Sequence, residues 1–321
     1  MIFEKQIVAA YKKTAYTRCD DTGCVFYFDA TDFEGLKKEP FSFTAAAGHR
    51  LSGYVYSYEG ASRDRIVVFD HGFGGGHRAY MKEIELLCRE GYRVLAYDHT
   101  GCMESGGENT GGMAQSLCDL NDCILALKAD AAFSGADISV IGHSWGGFST
   151  LNITALHPDI SHVVVFSGFV SVKLLIDSYF SGIMKGYRRA VMALEEQSNP
   201  VFVKYDARQT LKETEARVLL IYSDDDKKCP RSPHYDALYN SLSGKENISF
   251  MLLHGKGHNP NYTADAVSYL NKFFSELTRR KRNGSLNTEE QRADFVASFD
   301  WNRMTEQDSE VWAAVFEALK E

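Results

Sequence analysis

The sequence predicts an α/β fold: one mostly parallel sheet, flanked by helices and preceded by an antiparallel hairpin. Three observations carry this. Short continuous apolar runs recur at residues 66–69, 93–97, 138–141, 163–166, 218–221 and 248–253. Such runs mark strands covered on both faces, where neither side meets water. Stretches of helical period separate them, so strand and helix alternate as in right-handed βαβ units. Ahead of them, residues 41–44 and 51–56 flank Ala47-Gly48-His49, a hairpin signal.

The elements follow in order. Residues 2–14 place Ile2, Phe3, Gln6, Ile7 and Ala10 on related faces of a short helix. Residues 79–90 carry Met81, Ile84, Leu87 and Cys88 at helical spacing and stop at Gly91, a C-cap signal. Residues 113–128 repeat the pattern, and further helices are expected at 146–157, 233–241 and 262–277. Between 166 and 218 lie about fifty residues where one helix would suffice. This excess, with helical patterns at 173–180 and 183–194, predicts a small helical cap at the C-terminal edge of the sheet. After Arg282, Thr288-Glu289-Glu290-Gln291 reads as a capping box and Thr305-Glu306-Gln307-Asp308 as a second helix start. Val311, Trp312, Val315, Phe316 and Leu319 then form an apolar stripe that must dock, on this chain's own body by preference or on a second subunit. The expected division is an N-terminal helix and lead-in at 1–40, a core at 41–167 and 216–280, a cap at 168–215 and a C-terminal helical appendage at 281–321.

Composition excludes several classes. With 321 residues, 44% hydrophobic and 24% charged, the chain has the balance of a large globular protein. A net charge of -8 argues against nucleic acid, and the one tight basic run, Arg279 to Arg282, suits the end of a helix. Glu4 and Lys5 interrupt the N-terminal apolar stretch, and no window has the roughly 18 apolar residues of a membrane helix. Seven cysteines without a Cys-x-x-Cys pair suggest reduced thiols rather than zinc or disulfides, and hence a cytoplasmic protein. No metal or other cofactor is expected; His71 and His77 flank a glycine loop without a supporting carboxylate cluster.

The chemistry sits at strand ends. Gly142-His143-Ser144-Trp145-Gly146-Gly147 follows one apolar run and opens a helix. A serine on such a sharp turn needs small neighbours, and the helix start aims backbone N–H groups at charge forming beside it. A serine hydroxyl is a weak nucleophile without a base and an orienting acid. Downstream stand Ser223-Asp224-Asp225-Asp226 and Gly255-Lys256-Gly257-His258, giving the chain order Ser, Asp, His. His258 is preferred to His254 because its glycines let the loop reach back over the serine. Asp70-His71-Gly72-Phe73-Gly74-Gly75-Gly76 follows the first parallel strand; the N–H groups of Phe73 and Trp145 are the expected oxyanion donors.

These motifs resemble those of the α/β-hydrolase family over residues 41–277. The resemblance implies the α/β-hydrolase fold and a triad of Ser144, Asp226 and His258. Asp226 takes the acid position by similarity of Ser223 to Pro230 with a family pattern, Asp224 and Asp225 being solvated neighbours and Asp224 the alternative acid. One loop departs: Asp98-His99-Thr100-Gly101 lacks the family's frequent Arg. The layout is most similar to the serine aminopeptidase and monoacylglycerol-lipase branch. The expected function is a serine hydrolase cleaving a small-molecule carboxylic ester with a small or medium acyl group. Alternatives are amide or peptide cleavage, acyl transfer, or a catalytically silent binding protein. Leu174, Leu175, Ile176, Tyr179, Phe180, Ile183 and Met184 of the cap either line an acyl pocket or pack the cap itself. The sequence leaves monomer and homodimer open.

Overall fold

The computed structural model describes residues 3–320; Ile2, assigned above to the first helix, lies outside them. Eight strands form one sheet: β1 (Lys37–Thr44), β2 (Arg50–Ser57), β3 (Arg65–Asp70), β4 (Arg93–Tyr97), β5 (Asp137–His143), β6 (His162–Phe166), β7 (Arg217–Ser223) and β8 (Ile248–Leu253). Their spatial order is β1-β2-β4-β3-β5-β6-β7-β8, and β2 pairs antiparallel with both neighbours while the rest pair parallel. The order turns around at β3, so the loops after β3, β5, β7 and β8 gather along one edge. Ligands bind in the crevice at such an edge.

One face is covered by helices Gln115–Ala129 and Trp145–Asn152, the other by Met81–Arg89. Helix Ala207–Glu213, which has no clear apolar signature in sequence, packs on Trp145–Asn152 and serves as the crossover from β6 to β7. It lies inside the 168–215 segment expected as cap. Helices Val172–Tyr179 and Arg188–Ser198 stand above the sheet edge, where the N-terminal helix Glu4–Ala15 packs against Arg188–Ser198.

The C-terminal stripe docks on the chain itself. Asp308, rather than Thr305, caps helix Ser309–Ala318, its carboxylate accepting from the N–H groups of Glu310 and Val311; Thr305 instead ends the short helix Trp301–Met304. Val311, Trp312, Val315 and Leu319 are buried against Val164, Phe166, Leu219 and Ile221, with the Trp312 and Phe166 rings 5.9 Å apart. The long helix Ala264–Asn283 packs instead with Glu289–Ala297 and Trp301–Met304, where Phe273, Phe295 and Met304 share a separate cluster. The Thr288 capping box forms as expected. The terminal helix is therefore the cover of β6 and β7. Trp312→Ala is expected to cost about 3–5 kcal/mol, which calorimetry should register as a Tm lowered by about 5–10 °C.

Among the described residues no helix is long and apolar enough to cross a membrane. The seven cysteines are free.

Candidate active site

The site is built from the loops at the C-terminal ends of β3, β5, β7 and β8. Ser144 sits between β5 and helix Trp145–Asn152 at φ 56°, ψ -108°, with its N–H donating to the Phe166 carbonyl at 2.9 Å. A non-glycine residue in this region is strained by roughly 1–3 kcal/mol, and the surrounding packing must hold it. The motif's glycines make that packing possible. A Cβ on Gly146 would lie 2.1 Å from the Asp70 carbonyl oxygen, and one on Gly142 would lie 2.2 Å from Thr150 Oγ1. The turn thus lets β5, its helix and β3 meet backbone to backbone and leaves Ser144 at the mouth. Trp145 is the first residue of its helix, so its N–H has no acceptor within the helix. Phe73, half-exposed, lies on the loop after β3 with its ring 5.2 Å from that of Trp145.

Ser144 Oγ lies 2.7 Å from His258 Nε2, and His258 Nδ1 lies 2.7 Å from Asp226 Oδ2. The other Asp226 oxygen accepts from the N–H groups of Lys228 at 2.8 Å and Cys229 at 3.1 Å. Burial alone would raise this carboxyl; the hydrogen bond and charge of His258, with the two N–H donors, outweigh it and hold Asp226 below the usual carboxylate range. An ionised Asp226 only accepts, so His258 carries its proton on Nδ1 and Nε2 accepts a hydrogen bond from the Ser144 hydroxyl.

The three adjacent aspartates separate cleanly. Asp224 Oδ2 lies 2.6 Å from Nδ1 of His254, whose side chain is 93% exposed, so this second His–Asp pair stands outside the site. Asp225 is not merely solvated as expected: it accepts from Gly257 N–H at 2.8 Å and from Ser223 Oγ at 2.6 Å, shaping the loop that carries His258.

Two buried networks hold these loops, and sequence reasoning missed both. His143 Nε2 lies 2.8 Å from the His258 carbonyl oxygen, which can only accept, so this nitrogen is the protonated one. Nδ1 then accepts from Tyr80 Oη at 2.7 Å, and Tyr80 in turn accepts from Gly72 N–H at 3.0 Å. Burial, reinforced by the nearby His258, pushes His143 down to about 3, keeping it neutral and this tautomer fixed. One chain of hydrogen bonds thus runs from the Phe73 loop through the serine turn to the histidine loop.

The second network occupies the place where the sequence departs from the family pattern. His99 Nε2 lies 3.0 Å from Asp70 Oδ1 and Nδ1 lies 3.3 Å from Asp119 Oδ2, all three side chains fully buried. Burial would lower this imidazole, but Asp70 and Asp119 raise it to about 10, so it is an imidazolium between two carboxylates. The Tyr97 hydroxyl at 2.8 Å and that of Ser149 also donate to Asp70. The His99 ring lies 4.7 Å from that of Trp145, directly behind the serine turn.

Behind the histidine loop, Asn261 Nδ2 donates to buried Glu83 at 3.0 Å and to Gln307 at 2.9 Å. Burial pushes Glu83 up to about 7, against hydrogen bonds that lower it. In the unfolded chain the group ionises near its model-peptide value, roughly 4.3. Between the two values the folded state holds a proton that the unfolded state has lost, so stability falls as pH rises through this window and then levels off. Glu83→Gln should therefore gain about 2–5 °C in Tm at pH 8 relative to pH 5, each against wild type.

Ser144 opens into a cavity of about 860 Å³. The cap supplies Leu175, Ile176, Tyr179, Phe180 and Met184, whereas Ile183 points to solvent, 93% exposed, and Leu174 packs into the core. Three further walls were not anticipated: the first helix with Ile7 and Tyr11, the aromatic segment 25–28, and Leu270, Phe273 and Phe274 from the long helix after the histidine loop. Asp226, Cys229 and His258 have possible ligand atoms within 4.8 Å of one another. The carboxylate and imidazole there are engaged with each other, and burial pushes the Cys229 thiol well above its ordinary range.

The sequence profile of the serine aminopeptidase family S33 matches residues 61–205, under half of the chain. The esterase Pf2001 of Pyrococcus furiosus superposes with a TM-score of 0.59 over 84% of this chain and 97% of its own, at 20% identity. The chain has the α/β-hydrolase fold. The α/β-hydrolase GrgF of a Penicillium species superposes similarly, with a TM-score of 0.55 over 76% of this chain and 98% of its own, at 17% identity. At these identities the likeness concerns the fold. Among curated relatives, RutD of Rhizobium rhizogenes, named for carbamate hydrolysis, is 26% identical over 98 residues, 30% of this chain and 35% of its own length. YqkD of Bacillus subtilis is 27% identical over 125 residues, 39% of this chain and 40% of its own. The matches thus span only about a third to two fifths of these curated relatives.

Proposed function

We propose that this α/β-hydrolase is a serine esterase acting on a carboxylic ester with a small or medium acyl group. The observation that carries the reading is the continuous line from Asp226 through His258 to Ser144, each link 2.7 Å, at the wall of an apolar cavity. In this mechanism Ser144 Oγ attacks the ester carbonyl as His258 Nε2 takes its proton. The carbonyl oxygen becomes an oxyanion held by the N–H groups of Phe73 and Trp145, and Asp226 stabilises the imidazolium. Collapse breaks the ester bond, and His258 returns the proton to the departing alcohol. Water, activated by the same imidazole, then releases the acid from the acyl-enzyme.

An ester is favoured over an aminopeptidase substrate on electrostatic grounds. A peptide with a free N-terminus brings an ammonium group whose burial needs a negative partner. Among the described residues no Asp or Glu lines the cavity. A panel of p-nitrophenyl esters from acetate to laurate, set beside aminoacyl p-nitroanilides, tests the choice. Ester turnover peaking at a small or medium acyl length is expected. Faster cleavage of the anilides would overturn the esterase reading while leaving the triad in place.

A further inference from the structure

The chain as a whole is acidic, with 43 Asp and Glu against 35 Lys and Arg. The cavity reverses this. Among the described residues its only charged lining residues are Arg78 and Lys228, and of the two only Arg78 has a carboxylate partner, which it shares with another cation. Lys228 follows the triad acid by two residues, its side chain is exposed, and no hydrogen bond or ion pair engages its ammonium group among the described residues. Arg78 lies on the turn His77–Tyr80 beyond the glycine loop. Its one carboxylate neighbour, Asp29 Oδ2, is 3.6 Å away and already takes Lys38 Nζ at 2.9 Å, so one negative charge serves two cations. The guanidinium otherwise makes a single long hydrogen bond, 3.4 Å to the Tyr27 carbonyl, and its buried Nε has no hydrogen-bond acceptor.

The surrounding wall is apolar and aromatic, including Val25, Phe26, Phe28, Ile176, Phe180 and Phe273. Apolar walls with low local dielectric strengthen the field of a cation, and a negative ligand group entering there meets no carboxylate among the described lining residues. Binding the same group in a neutral form gains none of this. Resting on the esterase reading above, we infer that the substrate is an anionic amphiphile: an ester whose apolar part fills the aromatic cavity and which also bears a carboxylate or phosphate drawn to Lys228 and Arg78.

The test compares matched esters of similar size in the wild-type protein. The mono-p-nitrophenyl ester of suberic acid carries the negative charge on the acyl side, and 4-octanoyloxybenzoate carries it on the leaving group. p-Nitrophenyl octanoate and the p-nitrophenyl ester of 8-aminooctanoic acid are the neutral and cationic controls. At least one anionic ester should exceed the neutral one in kcat/KM, corrected for leaving-group reactivity with hydroxide, by about tenfold at low salt. The advantage should shrink at high ionic strength. Which anionic ester wins locates the charge on the substrate. Lys228→Glu and Arg78→Gln should each reduce the anionic-to-neutral ratio, the first by about tenfold.

A binding measurement separates this inference from the hydrolase reading. With Ser144→Ala, calorimetry should find decanoate bound about tenfold more tightly than decanamide, and decylammonium more weakly than either. Failure of wild type to cleave any ester would sink the esterase reading, and the three binding constants would still decide the charge preference. Equal binding of decanoate and decanamide, tighter binding of decylammonium, or an anionic-to-neutral ratio unmoved by Lys228→Glu would overturn the inference.

Discussion

Ser144→Ala is expected to lower kcat/KM for ester hydrolysis by about 10⁴-fold or more, because it removes the hydroxyl hydrogen-bonded to His258 Nε2. The fold should survive. The backbone N–H of residue 144 donates to Phe166 whatever the side chain, and alanine meets the same backbone strain at φ 56° that serine already bears. Stopped-flow or steady-state assays with a p-nitrophenyl ester would measure the loss, and a thermal melt should find Tm within about 3 °C of wild type. A folded variant retaining most of its activity would remove Ser144 from the mechanism.

The next largest effect is expected at Asp226, and its sign follows from the hydrogen bonds around the carboxylate. One oxygen accepts from two backbone N–H groups, of Lys228 and Cys229; the other faces His258 Nδ1. In Asp226→Asn the amide oxygen must stay with the two backbone donors. The NH₂ group is then turned toward His258, donates to Nδ1 and forces the proton onto Nε2. An imidazole in that tautomer cannot take the serine proton. The expected loss is about 10²–10⁴-fold in kcat. Asp224→Asn should cost less than about threefold, since its partner His254 is exposed to solvent and away from Ser144. If Asp224→Asn proved the inactive variant and Asp226→Asn the active one, the acid would be misassigned.

What the sequence revealed, and what it hid, divides by range. The serine turn was legible because its requirements are local: the glycines at 142 and 146 lie within two residues of Ser144, and the backbone contacts they permit explain them. The choice among Asp224, Asp225 and Asp226 rested on similarity alone, because three identical side chains in a row differ only in where the loop points them. The pairing of Tyr80 with His143 gave no signal, since their hydrogen bond joins residues 63 apart and the serine motif that contains His143 says nothing of its partner. His99 stands beside the missing Arg, at a position the family pattern leaves free, so it gave no signal; its meaning, an imidazolium clamped between Asp70 and Asp119, needed the strands beside it. The cavity walls were hidden for another reason. An apolar stripe such as Leu270, Phe273 and Phe274 reads the same whether it meets the core or a pocket. The docking of the terminal helix was predictable from Trp312 and its neighbours, but its seat on β6 and β7 depends on the preceding long helix packing elsewhere.

The central claim is that Ser144 is a nucleophile activated by His258. The most direct measurement is reaction of the full chain with a fluorophosphonate, which modifies an activated serine, followed by peptide mapping by mass spectrometry. The expected result is stoichiometric modification of Ser144, abolished in Ser144→Ala and slowed severalfold or more in Asp226→Asn. A protein that leaves Ser144 unmodified, or carries the adduct at another serine at the same rate in both variants, would contradict it.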